Sequence, residues 1–376
     1  MKIAYCLKST YNSGGMERIV IAKANALIER GFDVSIITTD QLDRIPYFPI
    51  NKKIRQIDLN INYDSIQSQS FFSKLIKRER KIRLHKLALD KLCQQEQYDI
   101  LISTYGNEIN FINKIKGVRK RIAEIHFNKR FRTMFHQSKF RRLINRWIVY
   151  RNEKKTRKLD AFVCLTEEDS SEWSNLNNLH VIPNFISTKP LERALLNNKS
   201  AIAVGRLSYQ KGFDLLLNSW KEVNKVHPDW RLDIYGGGEL KQELLELREK
   251  LKLSDCIIFH DPTPDILLKI KEASMFCLSS RFEGLPMVLI EAMSCGVPSV
   301  SFDCKCGPKD IFSDNNAGIL IPSYNTDEFA KAVCKLIECE PLRKEMGESA
   351  YREVDKYSKE HIIQKWINLF NSLLSV

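Results

Sequence analysis

The second half of the chain carries a loop with two cations between an apolar run at 201–204 and a predicted helix. Its sequence is GRLSYQKG (205–212), which places Arg206 and Lys211 five residues apart. Such a loop suits a diphosphate, because the guanidinium binds phosphate oxygens in pairs, the ammonium adds a point charge, and the helix start offers free amides. Taken alone, the segment is equally compatible with an ordinary solvated loop.

A second segment, SRFEGLPMVLIEAM (280–293), combines carboxylates with another predicted helix start. Gly284 and Pro286 shape a tight loop after an apolar strand, and a helix is predicted to begin at Met287. The free amides of that helix start favour a phosphate. Glu283 on the loop and Glu291 in the helix are each able to accept hydrogen bonds from sugar or ribose hydroxyls.

Two successive alternations of strands and helices position these loops. In the first half, an apolar strand at 2–7 is followed by a Gly14-Gly15 loop, a helix that stops at Gly31 and a strand at 34–38, which predicts a parallel sheet. Further strands are predicted at 100–103, 121–125 and 161–165. In the second half, strands are predicted at 201–204, 230–235, 256–260, 275–279 and 299–302, and helices at 213–224, 240–250, 266–273, 287–294 and 359–374.

These patterns predict an α/β protein with two doubly wound, Rossmann-like domains facing each other across a cleft. The first domain spans 1–184, a polar linker spans 185–199, and the second domain spans 200–358. Open α/β sheets bind ligands at the carboxyl ends of their strands, so the loops after the strands are the expected site.

Three motifs resemble one enzyme family. EGLPMVLIEAM (283–293), GRLxxxKG (205–212) and GGMER (14–18) look like the retaining glycosyltransferases of family 4, which have the GT-B fold. The matching motifs follow the family's order from Gly14 to Pro308. The most similar subgroup, the amylovoran galactosyltransferase type, builds bacterial exopolysaccharide, capsule or lipopolysaccharide. The resemblance also implies that the last helix crosses back, so that 359–376 complete the first domain.

The resemblance implies a role for each matched residue. Arg206 and Lys211 would neutralise the donor diphosphate, and Glu291 would bind the ribose hydroxyls. Glu283 would contact the transferred sugar and stabilise positive charge at its anomeric carbon. Amides around 284–287 would hold the sugar and the β-phosphate, and Gly15 would let the backbone approach the donor. The complete predicted site is Gly15, His126, Arg206, Lys211, Glu283, Gly284, Leu285, Pro286, Met287 and Glu291.

His126, in AEIHF (123–127), falls where the family often places an active-site histidine after a strand. A hydrogen-bonded structural histidine is the other interpretation of this position. Catalytic roles are therefore predicted for Glu283, His126, Arg206 and Lys211.

The expected reaction transfers a hexose from a nucleoside-diphosphate sugar to a growing lipid-linked surface polysaccharide. The resemblance favours a UDP-sugar as the donor over a GDP-sugar or an ADP-sugar. We expect retention of the anomeric configuration. We expect neither a cofactor nor a metal, because two cations and helix amides stabilise the leaving group and the chain has no Asp-x-Asp pair. The alternatives are a nucleotide-sugar epimerase on the same fold and a basic nucleic-acid-binding protein. No helix-turn-helix, RNP-type strand or zinc-finger spacing favours nucleic acid.

The net charge of +13 is unevenly distributed: residues 1–190 carry 35 Lys and Arg against 19 Asp and Glu. This asymmetry indicates an anionic partner for the first half. The segment 131–151 interleaves cations with an apolar helical stripe, which suits a helix lying on an anionic membrane leaflet. Packing of that helix against its own sheet is the other interpretation. The stripe consists of Phe140, Leu143, Ile144, Trp147 and Ile148.

Ten cysteines without metal-ligand spacing, and the lack of a long apolar run or a signal-peptide pattern, favour a cytoplasmic protein. We expect it on the inner face of the cell membrane as a peripheral protein.

Overall fold

The computed structural model describes residues 1–66, 71–134, 139–173, 175–312 and 316–375. The chain divides into two compact units, one formed by 1–165, 169–185 and 359–376, the other by 166–168 and 186–358. Each unit is built on one parallel sheet, so the predicted class of two Rossmann-like domains is confirmed. The predicted linker at 185–199 belongs to the second unit from Ile186 onward. Its backbone is tied there, since the Ile186 amide donates to the Tyr357 carbonyl at 3.0 Å and the Ala194 amide to the Cys295 carbonyl at 2.8 Å.

The first sheet has seven strands in the order β3-β2-β1-β4-β5-β6-β7, all parallel. Both faces are buried: Ile3, Tyr5 and Leu7 face one core, and Ala4 and Cys6 face the other. Strands covered on both faces read as continuous apolar runs, which is why the central ones were predictable. The strands are β1 (Lys2–Leu7), β2 (Asp33–Thr38), β3 (Arg55–Asp58), β4 (Tyr98–Ser103), β5 (Val118–Glu124), β6 (Ala161–Cys164) and β7 (Leu179–Val181).

The helices in this part of the chain are α1 (Gly15–Glu29), α2 (Phe71–Glu96), α3 (Phe131–Met134), α4 (Lys139–Thr156) and α5 (Glu167–Glu172). Helix α1 connects β1 to β2, as predicted, and Gly31 follows it with φ +83°.

The second sheet has six parallel strands in the order β10-β9-β8-β11-β12-β13. The strands are β8 (Ser200–Val204), β9 (Arg231–Tyr235), β10 (Ile257–His260), β11 (Met275–Leu278), β12 (Ser299–Asp303) and β13 (Gly318–Pro322). The helices are α6 (Phe213–Val226), α7 (Lys241–Lys250), α8 (Ile266–Glu272), α9 (Met287–Ser294), α10 (Pro308–Ile311), α11 (Thr326–Glu338) and α12 (Glu340–Glu353).

The last helix, α13 (Lys359–Leu374), belongs to the first unit. Its buried stripe includes Ile362, Ile363, Trp366 and Phe370, which join the same core as one face of β1. Helical spacing thus correctly identified the face of this helix that packs. Within the described residues, none of the helices has both the length and the apolar character needed to cross a bilayer.

Candidate active site

The loops after β8 and β11 meet at the carboxyl edge of the second sheet, because these two strands are neighbours in it. The meeting point is an ion pair in which Lys211 Nζ lies 2.7 Å from Glu283 Oε1. Both side chains are largely covered, with 18 % and 6 % of their surface exposed. The structure therefore brings together the two segments that the sequence singled out. Lys211, the residue predicted to bind phosphate, lies directly beside Glu283, the residue predicted to bind the sugar.

Two further side chains hold the Glu283 carboxylate in place. Ser280 Oγ donates to Oε1 at 2.6 Å, and Gln210 Nε2 lies 3.4 Å from Oε2. Sequence reasoning missed both residues, although each is within three positions of a predicted one. Neutral donors adjacent to a motif give no composition or spacing signal of their own.

Close backbone approach at two glycines makes this arrangement possible. Gly212 has φ +62°, and a Cβ there would lie 2.2 Å from the Ser279 carbonyl oxygen. A Cβ on Gly236 would lie 1.9 Å from the carbonyl oxygen of Gly205. Any other residue would push the loops after β8, β9 and β11 apart. The glycine run at 236–238 therefore serves as a turn that packs against the cationic loop.

The loop after β12 covers the other side of the Glu283 loop. The Glu283 amide donates to the Lys305 carbonyl at 3.1 Å, and Cys304 and Cys306 are both buried. Burial raises the pKa of the Cys304 thiol, and the nearby Glu283 carboxylate adds to this effect. Both cysteines are thus small packing residues at this point of the structure.

Arg206 and the start of α9 are the parts of this region that remain open to a ligand. Arg206 is exposed, and among the described residues it forms no ion pair. Helix α9 begins at Met287, and its N-cap residue, Pro286, provides no side-chain hydrogen bond to the first amides. Glu291 lies in its second turn with 8 % of its surface exposed, and Gly284 and Leu285 form the loop just before it.

Gly15 and His126 belong to the first unit. Gly15 is the first residue of α1, and a Cβ there would meet no atom within 4 Å, so local packing does not demand a glycine. His126 follows β5, and its Nε2 lies 3.2 Å from Glu124 Oε1 with 5 % of the side chain exposed. Their roles stay predictions.

A buried ion pair beneath His126 was not predicted. Lys23 of α1 pairs with Glu124 of β5, and the two residues are 1 % and 0 % exposed. The ammonium also lies 4.7 Å from the Trp366 ring centre on α13. Burial pushes the pKa of Glu124 upward, but Lys23 and His126 outweigh it and lower that pKa to about 2. A lysine within the apolar stretch IVIAKANAL (19–27) is the one sequence signal that could have indicated this pair.

No group of three or more histidine, cysteine, aspartate or glutamate side chains with metal-binding geometry occurs among the residues that the structure describes. Metal independence stays a prediction about the reaction.

Comparison with known families assigns both halves of the chain. The model for "Glycosyl transferases group 1" matches residues 190–353, and the model for "Glycosyltransferase Family 4" matches residues 13–189. The two matches together span both predicted domains.

Individual proteins agree with the family models. An uncharacterized glycosyltransferase of Haemophilus influenzae is 30 % identical over 97 % of this chain and 98 % of its own length. The amylovoran biosynthesis glycosyltransferase AmsD of Erwinia amylovora is 28 % identical, covering 98 % of this chain and 99 % of its own. Among solved structures, an S. aureus TarM variant in complex with Fondaparinux, alpha-GlcNAc-glycerol and UDP superimposes with a TM-score of 0.79 at 17 % identity. That match covers 99 % of this chain and 100 % of the other, and it extends the fold assignment to the whole chain.

Proposed function

The chain belongs to the family 4 glycosyltransferases, and we propose that it transfers a hexose from a UDP-sugar to a growing, lipid-linked bacterial surface polysaccharide. Glycosyltransferase activity follows from family membership. Polysaccharide assembly, of the kind that yields capsule or lipopolysaccharide, is supported by the full-length similarity to the amylovoran enzyme.

The observation that carries this proposal is the contact between Lys211 and Glu283 at 2.7 Å, beside exposed Arg206 and the start of α9, where Pro286 provides no side-chain cap. Cations and free amides bind a diphosphate, while a carboxylate binds sugar hydroxyls. A ligand with a sugar joined directly to a diphosphate satisfies both sets of groups at once. The ammonium of Lys211 has three protons, so it can keep Glu283 and still donate to a phosphate oxygen.

The charges then fit the reaction. The bond between the anomeric carbon and the leaving phosphate oxygen breaks, which leaves an oxocarbenium-like sugar and an anionic diphosphate. Arg206 and Lys211 bind the diphosphate more strongly in the transition state, where its negative charge grows, than in the ground state. Glu283 stabilises the positive charge at the anomeric carbon. The acceptor oxygen forms its bond to the anomeric carbon on the same face of the sugar from which the phosphate departs, and the proton of the acceptor hydroxyl passes to that phosphate. Retention is therefore the outcome we propose.

The remaining predicted residues complete the donor site in this proposal. Glu291 binds the ribose hydroxyls, and the amides at 284–287 bind the sugar and the β-phosphate. Gly15, the first residue of α1, and His126, which follows β5, belong to the first unit, and the roles predicted for them stay predictions.

Membrane association of the first unit is supported by α4. Leu143, Ile144, Trp147 and Tyr150 of this helix are 42–62 % exposed, although they are large and apolar or aromatic. Phe135, which falls within the segment 131–151, and the side chain of Phe140 lie outside the described part of the chain. Exposed apolar groups interleaved with arginines are typical of a helix at an anionic leaflet.

The cations of α4 also border a cavity of about 630 Å³. Lys129 and Arg130 in its wall pair with Glu153 and Glu172 at 3.0 and 2.6 Å. Arg142 and Arg146 add two further positive charges to the lining. An anionic headgroup or the diphosphate of a lipid-linked acceptor suits this lining.

Co-sedimentation with vesicles tests the membrane proposal. We expect the protein to pellet with vesicles that contain phosphatidylglycerol and to remain in solution with pure phosphatidylcholine. Trp147→Ser should weaken binding severalfold, since one exposed aromatic ring is lost from the interface. Tyr324→Ser, which removes an aromatic ring of 55 % exposure from the second unit, is the matched control. Binding that does not depend on anionic lipid would disprove the proposal.

Calorimetric titration with UDP, GDP and ADP in the presence of EDTA tests the donor site. We expect metal-free binding of UDP, weakened about tenfold to a hundredfold by Arg206→Ala, because a charge-assisted hydrogen bond contributes about 1.5–3 kcal/mol. Arg352→Ala, which removes an arginine of similar exposure from α12, is the control. Absence of nucleoside-diphosphate binding, or an Arg206→Ala variant that binds like the wild type, would contradict the proposal.

The products decide the reaction class. NMR of the transferred sugar should show the anomeric configuration of the donor, and an inverted product would refute retention. Release of free UDP that requires an acceptor distinguishes a transferase from an epimerase, which interconverts sugars without an acceptor.

A further inference from the structure

Arg281 links the two loops that bear Lys211 and Glu283. Its guanidinium donates to both carboxylate oxygens of Asp214, at 2.8 and 2.6 Å, and to the carbonyl oxygen of Tyr209 at 2.9 Å. Arg281 lies two residues before Glu283, and Asp214 lies three residues after Lys211, in the first turn of α6. A bidentate contact of this kind fixes direction as well as distance.

The backbone around Arg281 continues the connection. The Arg281 amide donates to the Gln210 carbonyl at 2.7 Å, and Gln210 Nε2 donates to the Phe282 carbonyl at 3.0 Å. Ser279 Oγ donates to the Lys211 carbonyl at 3.0 Å. Residues 279–283 are thereby joined to residues 209–214 along their whole length.

This connection matters because the loops arise from different strands. The loop after β8 and the loop after β11 are 72 residues apart in sequence at Lys211 and Glu283. Without cross-links, each would relax independently. The Arg281 side chain is 12 % exposed and the Asp214 side chain 40 %, so the pair is partly shielded from solvent and from salt.

We propose that Arg281 and Asp214 are a positioning pair that sets the spacing between Lys211 and Glu283, and with it the register in which diphosphate and sugar are bound. This inference rests on the proposed donor site. Neither residue touches the donor in this proposal; both act through the loops that do.

The test is a double-mutant cycle on the full chain, with UDP and UDP-glucose as calorimetric probes. Arg281→Met and Asp214→Asn should each weaken UDP binding about tenfold, and the double variant should be no weaker than the worse single variant, since residues that act as one unit are not additive. Asp214→Glu, which keeps the carboxylate, should bind within about threefold of the wild type. Asp229→Asn removes a carboxylate of comparable exposure that pairs with Lys199, and it is the matched control.

Thermal midpoints separate positioning from general stability. The Asp214→Asn substitution is isosteric and its position is partly exposed, so we expect the variant to fold. We expect its UDP binding to be weakened even under conditions in which all of the protein is folded. If Asp214→Asn lowers the melting temperature but binds UDP like the wild type, the pair is merely structural and the inference fails. If the wild type itself binds neither UDP nor UDP-glucose, the proposed donor site fails, and the inference fails with it.

Discussion

Lys23→Met removes the cation that pairs with Glu124 in the core of the first unit and keeps an unbranched apolar stem. Both residues are almost fully buried, at 1 % and 0 % exposure. Removing one partner of a buried ion pair costs about 3–5 kcal/mol, because the other charge stays buried without compensation. His126 still lies 3.2 Å from the second carboxylate oxygen. We therefore expect the free energy of unfolding at pH 7 to decrease by an amount near the lower end of that range.

The pH dependence of this effect has a definite sign. In the wild type the pKa of Glu124 is lowered from 4.5 to about 2, so the carboxylate stabilises the fold above pH 4.5 and loses that contribution as the pH falls toward 2. Without Lys23, burial dominates and the pKa of Glu124 rises above 4.5. The folded variant then binds the proton more tightly than the unfolded chain, and its stability falls as the pH rises from 4.5 through the raised pKa.

Urea unfolding at pH 5 and pH 8, with hydrogen exchange of β5 peptides, measures this prediction. Peptides from β8 in the second unit are the internal control. The double variant Lys23→Met/Glu124→Gln should recover at least half of the lost stability, because no buried charge remains. Lys221→Met, at an exposed position of α6, should change stability by less than about 0.5 kcal/mol. A Lys23→Met variant whose free energy of unfolding lies within about 1 kcal/mol of the wild type at pH 8 would contradict this prediction.

Two further predictions concern the second unit. Gly212→Ala should cost about 1–2 kcal/mol from its left-handed backbone alone, and it should also weaken UDP binding, because its Cβ would displace Ser279. Gly237→Ala, whose Cβ meets Pro262 at an ordinary 3.7 Å, should leave UDP binding unchanged, and equal affinities of the two variants would contradict the argument. Burial raises the pKa of Cys277 to about 12, so at pH 8 about one thiol in ten thousand is ionised. Iodoacetamide should therefore label exposed Cys339 long before Cys277, as peptide mass spectrometry can measure, and equal rates in the folded protein would show that the core is open.

The fold was largely predictable because its central strands are buried on both faces. The predicted strand at 2–7 and the predicted helices at 287–294 and 359–374 coincide with β1, α9 and α13. The missed strands β3, β7 and β13 lie at sheet edges. In β3 the sequence RQID is mostly exposed, so no apolar run marks it. Edge pairing depends on a neighbouring strand that local periodicity does not reveal.

The candidate site was predictable only as far as it is local in sequence. Lys211 and Glu283 each stand in a motif between a strand and a helix, and the parallel sheet explains why the two loops meet. Two ion pairs that the sequence did not reveal are formed by the fold. Arg281, two residues before Glu283, reaches Asp214 across 67 residues, and Lys23, in the core of the first unit, reaches Glu124 across 101. From the sequence alone, charged residues of this kind cannot be distinguished from solvent-exposed ones, since the neighbouring residues do not indicate which partner they contact. A lysine inside an apolar helical stripe is the exception, because an unpaired ammonium there would be too costly to bury. That cost predicts an acidic partner somewhere in the core, but only the folded structure, in which Lys23 of α1 meets Glu124 at the end of β5, identifies that partner.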